Sequence, residues 1–226
     1  PILNVHNSLR LPYQYYLLLV LLGVIVGVCG VFYNSVLLKS IHLYKIIKAP
    51  LEIKVMIPFA VVIVFGLFIP DVLGGGSNII NNILVNGIII KLAIILLVAK
   101  FVLSMISFAS GVPGGILFPL LTLGALVGAI FGDVSVSAIG GDSRFIVNFI
   151  LLAMAGMFSS IVRAPITGII LVCEMSGSFT QLGPFAVVCG VSYLVAYLLK
   201  SEPIYDSLLK IKIENQRKME IKNNSK

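Results

Sequence analysis

Three uninterrupted apolar runs constrain this chain more than any other feature. Tyr15 to Leu38 carries no charged residue, and Ile53 to Ile69 and Ile88 to Ala109 carry only Lys54, Lys91 and Lys100 between them. A helix needs about 20 apolar residues to cross the hydrocarbon core of a bilayer, and each run is that long or nearly so. A soluble core of this size would not absorb them, because small domains leave much of their surface in water. Composition agrees: 59% of the 226 residues are hydrophobic and 11% are charged, whereas an ordinary soluble domain is about 25% charged. Lipid is the expected solvent, and helices are expected because they satisfy their own backbone where no water can. No cleavable signal pattern precedes the first run. A start at Pro1 rather than Met suggests a chain that begins inside a longer protein.

The net charge is +7, with Lys210, Lys212, Arg217, Lys218, Lys222 and Lys226 gathered after the last apolar stretch. A basic tail suits nucleic acid or anionic lipid; beside membrane spans it marks the cytoplasmic side, so no nucleic-acid partner is expected. Lys39, Lys45, Lys48 and Lys54 place the first inter-span loop on the same side. The chain thus divides into a polar lead-in (1–12), a membrane domain (13–209) and a basic cytoplasmic tail (210–226). Cys29, Cys173 and Cys189 lie in apolar runs without metal-ligand spacing and read as small buried hydrophobes. There is no H-E-x-x-H and no P-loop. No metal, cofactor or enzymatic activity is therefore expected. A serine hydrolase pairing His42 with Ser77 or Ser110 remains a minor alternative.

Along the chain the pattern predicts a long helix over 13–45 and a second span over 51–70 with Pro58 as a kink near its start. A flexible break at Gly74-Gly75-Gly76, a short helix 79–86 and a span 88–108 follow. Beyond residue 108 the segments shorten. Breaks at 109–119, 133–143, 163–168 and 176–184 leave helices near 117–131, 144–160, 165–175 and 183–199, mostly too short to cross squarely. Tilted and broken helices survive in a membrane only where protein or a cavity shields them, and in transporters they mark the substrate site.

The segment Ser110 to Gly132, SGVPGGILFPLLTLGALVGAIFG, carries the most chemistry. Pro113, Gly114 and Gly115 open a loop, and Pro119 suits the first turn of a helix. A helix N-terminus has unpaired N–H groups and about half a positive charge, and glycine lets an ion approach the backbone. Together these make an anion site without a basic side chain, from which an ion can also leave. The residues alone are equally those of a packing turn between two spans. Arg163 and Glu174 stand in apolar surroundings and are expected to be structural, Arg163 capping carbonyls at a helix break and Glu174 satisfying groups around Ser176 to Ser178. Lys91 is placed to snorkel to an interface; Lys100 lies deeper, where a role beside an anion path is a minor reading.

Gly115-Ile116-Leu117-Phe118-Pro119 resembles the second-half signature of the CLC chloride channel and transporter family, loosely G-x-F-x-P. Leucine stands where the family usually has phenylalanine, which alters the pore wall and leaves the amides alone. Residues 155–175 (AGMFSSIVRAPITGIILVCEM), 201–209 (SEPIYDSLL) and 71–78 (DVLGGGSN) resemble further family segments, in the family's order. The resemblance implies an all-α membrane protein of tilted, broken transmembrane helices, the second half of an inverted-repeat fold. It implies that the amides of Ile116 and Leu117 bind a chloride, with the Tyr205 hydroxyl as side-chain ligand and Gly114, Gly115, Phe118 and Pro119 shaping the loop. It also implies channel or chloride/proton exchange activity, an N-terminal half supplying the rest of the site, and a homodimer to whose face 15–38, 164–175 and 183–199 contribute. A non-conducting half or assembly module is the alternative.

Overall fold

The computed structural model describes residues 3, 11–46, 50–111, 114–177, 179 and 181–224. His6, Lys48, Pro113, Ser178, Lys226 and most of the lead-in lie outside the described residues, as do the side chains of Lys218 and Lys222. The described chain is helical: α1 (Tyr16–Ile46, entered through a 3-10 turn), α2 (Leu51–Phe68), α3 (Ser77–Asn86), α4 (Ile90–Ala109), α5 (Leu117–Ile139), α6 (Ile146–Val162), α7 (Pro165–Ser176), α8 (Leu182–Leu198) and α9 (Ile204–Asn224). Four stretches are long and apolar enough to cross a membrane, Tyr13–Ile46, Ile90–Ala109, Leu117–Ile139 and Ser143–Val162.

Two of these four correct the expectation of short helices after residue 108. The break expected over 133–143 begins only after Ile139, to which α5 continues. Gly132 is a packing residue: a Cβ there would stand 3.2 Å from side-chain atoms of Ile146 and Phe149. The helix stops instead at Gly140, whose φ of 68° is the left-handed conformation that ends helices. At the other end of the chain, α2 closes at Phe68 rather than residue 70. Ile69 precedes Pro70, is denied the helical region, and leaves with φ −143°.

α6 is the core. Every residue from Asn148 to Ile161 is buried, as befits a helix apolar on all sides. α5, α1, α7 and α8 surround it, and the α5–α6 contact is the most extensive in the molecule. The glycines of α1 lie on one face, where small residues allow close approach. Their partners are in the same chain: Cβ atoms at Gly23 and Gly27 would stand 2.8 Å from Val191 and Val195 of α8, and one at Gly30 would strike Ser160 of α6. The opposite side of α1 is open, with Leu17, Val28 and Phe32 exposed. Leu3 is fully buried and its amide donates to the Met175 carbonyl at the end of α7.

Candidate anion site

The first α5 residue with an amide bonded inside the helix is Leu120, which donates to the Ile116 carbonyl at 3.2 Å. The N–H groups of Leu117 and Phe118 therefore have no acceptor within their own helix, and Pro119 has no N–H to place. No side chain caps this end, so the positive end of the helix dipole is unmasked. A cavity of about 510 Å³ opens on it, lined by Gly114, Gly115, Phe118 and Pro119 and, from α4, by Lys100, Ser104 and Ser107. Gly114 and Gly115 are exposed, and a Cβ at Gly115 would meet no atom within 4 Å. The Ile116 side chain is buried and Leu117 half-buried; neither lines the cavity.

The Gly74-Gly75-Gly76 segment is held against this helix end, where the sequence suggests only a flexible break. Lys100 is 2% exposed and its Nζ donates to the carbonyls of Val72 (2.9 Å) and Gly74 (2.6 Å). The Thr122 hydroxyl of α5 faces two carbonyls, Gly75 (3.2 Å) and Phe118 (2.9 Å). Gly76 has φ 97°, and a Cβ there would lie 2.3 Å from Thr122 Oγ1. Only glycine fits, for backbone and space alike. A lysine deep in an apolar run signals a bonded charge in the sequence; its acceptors, on another element, are not readable there.

Tyr205 is the second residue of α9, about half exposed, and does not line the cavity. The fully buried Tyr33 hydroxyl is hydrogen-bonded to Ser104, 3.3 Å away, on the cavity wall. The turn before Tyr205 is pinned from two sides. Asn34 Nδ2 donates to the carbonyls of Ile161 and Glu202, both at 3.2 Å. Arg163 sits in the left-handed region (φ 65°), its amide closes α6 on Ser159, and its guanidinium donates to the carbonyls of Ala196 and Ser201 while lying over the Tyr193 ring. The exposed Glu202 carboxylate accepts from Lys210 and Ser207, bonds that hold it below the usual carboxylate range.

Arg163→Met strips both carbonyls of their donor, at a cost of about 2–4 kcal/mol. The expected reading is a clearly lowered midpoint in a thermal melt of detergent-solubilised protein; an unchanged midpoint would contradict the clamp. Glu174 departs from its expected surroundings. With Ile166 and Ile170 it forms the outward face of α7, at helical spacing, and it is exposed; its carboxylate bonds no described residue. His42 is exposed near the end of α1 and the Ser110 hydroxyl donates to the Ser107 carbonyl; among the described residues His42 is hydrogen-bonded to neither Ser77 nor Ser110.

The described residues form a helical membrane chain with an uncapped helix end opening on a half-open cavity. The sequence profile of the family described as voltage gated chloride channel matches residues 1–197. This chain belongs to that family. It is 32% identical over 207 residues to the H(+)/Cl(-) exchange transporter ClcA of Vibrio parahaemolyticus, covering 88% of this chain and 44% of that protein. With ClcA of Salmonella agona the identity is 30% over 214 residues, covering 92% and 45%. Among solved structures, a slow cyanobacterial Cl-/H+ antiporter superposes with a TM-score of 0.88 at 24% identity, over 96% of this chain and 51% of that one. A CLC-type fluoride/proton antiporter superposes with a TM-score of 0.72 at 25% identity, over 91% and 49%. The chain spans about half the length of these relatives.

Proposed function

We propose that this chain is the C-terminal half of a chloride-transporting subunit, working as a channel or a chloride/proton exchanger. The observation that carries the reading is the α5 N-terminus: its first amides have no helical acceptor, no side chain caps them, and Gly114, Gly115 and Phe118 at that end line a half-open cavity. The amides of Ile116 and Leu117 are the proposed anion ligands, and the hydroxyl of Tyr205, a neutral donor, is the proposed side-chain ligand. Gly114, Gly115, Phe118 and Pro119 shape the approach. Chloride comes from the exchangers this chain resembles; the fluoride/proton antiporter among the similar structures makes fluoride the natural competitor to test.

The openness of the site supports a narrower statement. Gly114, Gly115 and Tyr205 are exposed in this chain, so the proposed cage is completed by an N-terminal half, and the chain alone is a non-conducting module. A homodimer through the outward apolar faces of α7 and α8 is proposed as well, since Ile166, Ile170, Leu194 and Leu198 are each more than half exposed. Lys210, Lys212 and Arg217 follow the last apolar helix and support a cytoplasmic C-terminus in the cell membrane.

Chloride efflux from liposomes tests the reading, with this chain alone and with the sequence encoded upstream of it. Efflux is expected only from the extended protein. None from either overturns the transport reading, and efflux from this chain alone overturns the half-site reading. In the extended protein Tyr205→Phe removes one hydrogen bond to an ion, about 1.5 kcal/mol at least. Chloride affinity should therefore fall about tenfold, measured by titration calorimetry.

A further inference from the structure

The hydroxyl protons around Tyr33 and Ser104 do not all find acceptors. Buried serines on these helices ordinarily return their proton to a carbonyl of their own helix. Ser110 donates to Ser107, Ser160 to Met157, Ser176 to Cys173 and Ser192 to Cys189. Such back-bonding is the common fate of a serine inside a helix. Ser104 does not follow it: among the described residues its hydroxyl bonds only the hydroxyl of Tyr33. Two hydroxyls hold two protons, and one bond between them uses one. Whichever side donates, one O–H remains without an acceptor among the described residues. Tyr33 is fully buried and Ser104 is 5% exposed, and a buried donor without a partner is costly.

Geometry shows where that donor is used. Ser104 lines the cavity that receives the α5 N-terminus, and Tyr33 does not. When the phenol donates to Ser104 Oγ, the serine proton turns to the cavity, strengthened by the bond behind it. The Phe118 end of α5, where the amide has no helical acceptor, lines the same cavity, and Lys100, bonded to the Val72 and Gly74 carbonyls, stands one turn along α4 on the same wall. A cavity with this many donors selects an acceptor. A small monovalent anion fits, because it takes several N–H and O–H bonds at once.

We propose that Ser104 is an anion-contacting, specificity-determining residue, and that Tyr33 is the positioning residue that orients its hydroxyl. The inference rests on the proposed chloride function and adds a contact on α4 to it. Chloride titration of the extended protein tests it, with Ser104→Ala, Ser104→Thr, Tyr33→Phe and the Ser104→Ala/Tyr33→Phe double variant, each checked by thermal melt. Ser104→Ala should weaken chloride about tenfold, the effect of one lost ion-directed hydrogen bond, and Ser104→Thr should restore it. Tyr33→Phe should weaken it less, and the double variant should bind no worse than Ser104→Ala, because Tyr33 acts through Ser104. Chloride affinity within twofold of the parent in Ser104→Ala overturns the inference, as do losses that multiply in the double variant. A parent that binds no chloride overturns the functional reading itself. Tyr33→Phe, which keeps the ring, and Ser104→Thr, which keeps the hydroxyl with one added methyl group, decide the matter even where Ser104→Ala melts early.

Discussion

Gly128→Val is expected to leave little folded protein in the membrane. Gly128 packs against the first half of α6, and a Cβ there would stand 2.6 Å from the Phe149 carbonyl oxygen, 2.7 Å from Ile150 Cα and 2.7 Å from Ala153 Cβ. Two of those atoms are backbone, so no rotamer change relieves the contact. Overpacking a core with side-chain atoms that can still move costs about 1–3 kcal/mol. Here three heavy atoms meet a rigid helix, and the cost should exceed about 3 kcal/mol, a large share of the 5–15 kcal/mol that holds a typical domain. The measurement is the yield of monodisperse protein on size exclusion after detergent extraction, with Gly190→Ala as the control. A Cβ at Gly190 meets nothing within 4 Å, so that variant should match the parent. Equal yields from both would refute the close α5–α6 packing.

Lys100→Met is expected to be nearly as damaging, for the opposite reason. Removing a whole buried ion pair in favour of apolar groups is often neutral. Methionine here removes only the donor; the acceptors are backbone carbonyls of Val72 and Gly74 and cannot be mutated away. Two stranded carbonyls cost about 2–6 kcal/mol together. The Gly74-Gly76 turn should then lift from Phe118 and Thr122, seen as faster amide exchange over residues 72–76. Lys100→Arg keeps the charge and should recover part of the protection. Exchange rates in Lys100→Met equal to the parent's would show that the lysine does not hold the turn.

Much of the fold was legible because its causes are local. The apolar runs at α1, α2 and α4 and the helix start after Gly115 all follow from neighbours in sequence; the stop before Pro70 has an equally local cause but was placed two residues late. The length of α5 was not legible. The expected break over 133–143 began too early, because Gly132 packs against Ile146 and Phe149 across the α5–α6 interface and the helix runs on past it. The partners that Gly23, Gly27 and Gly30 of α1 meet in α8 and α6 were not legible either.

The candidate site divides the same way. Sequence by itself determined that this is a helical membrane protein of the chloride channel family, with a glycine-rich loop and proline opening a helix at Gly114 to Pro119. Those properties depend on hydropathy, turn chemistry and resemblance, all carried by contiguous residues. Only the tertiary structure decided that Gly114, Gly115, Phe118 and Pro119 face a cavity while Ile116 and Leu117 do not line it. It alone joined Lys100 to a turn 28 residues away, Tyr33 to Ser104 across 71 and Asn34 to Glu202 across 168. A hydrogen bond depends on distance and direction in space, and pairs so far apart in the chain meet only when helices pack.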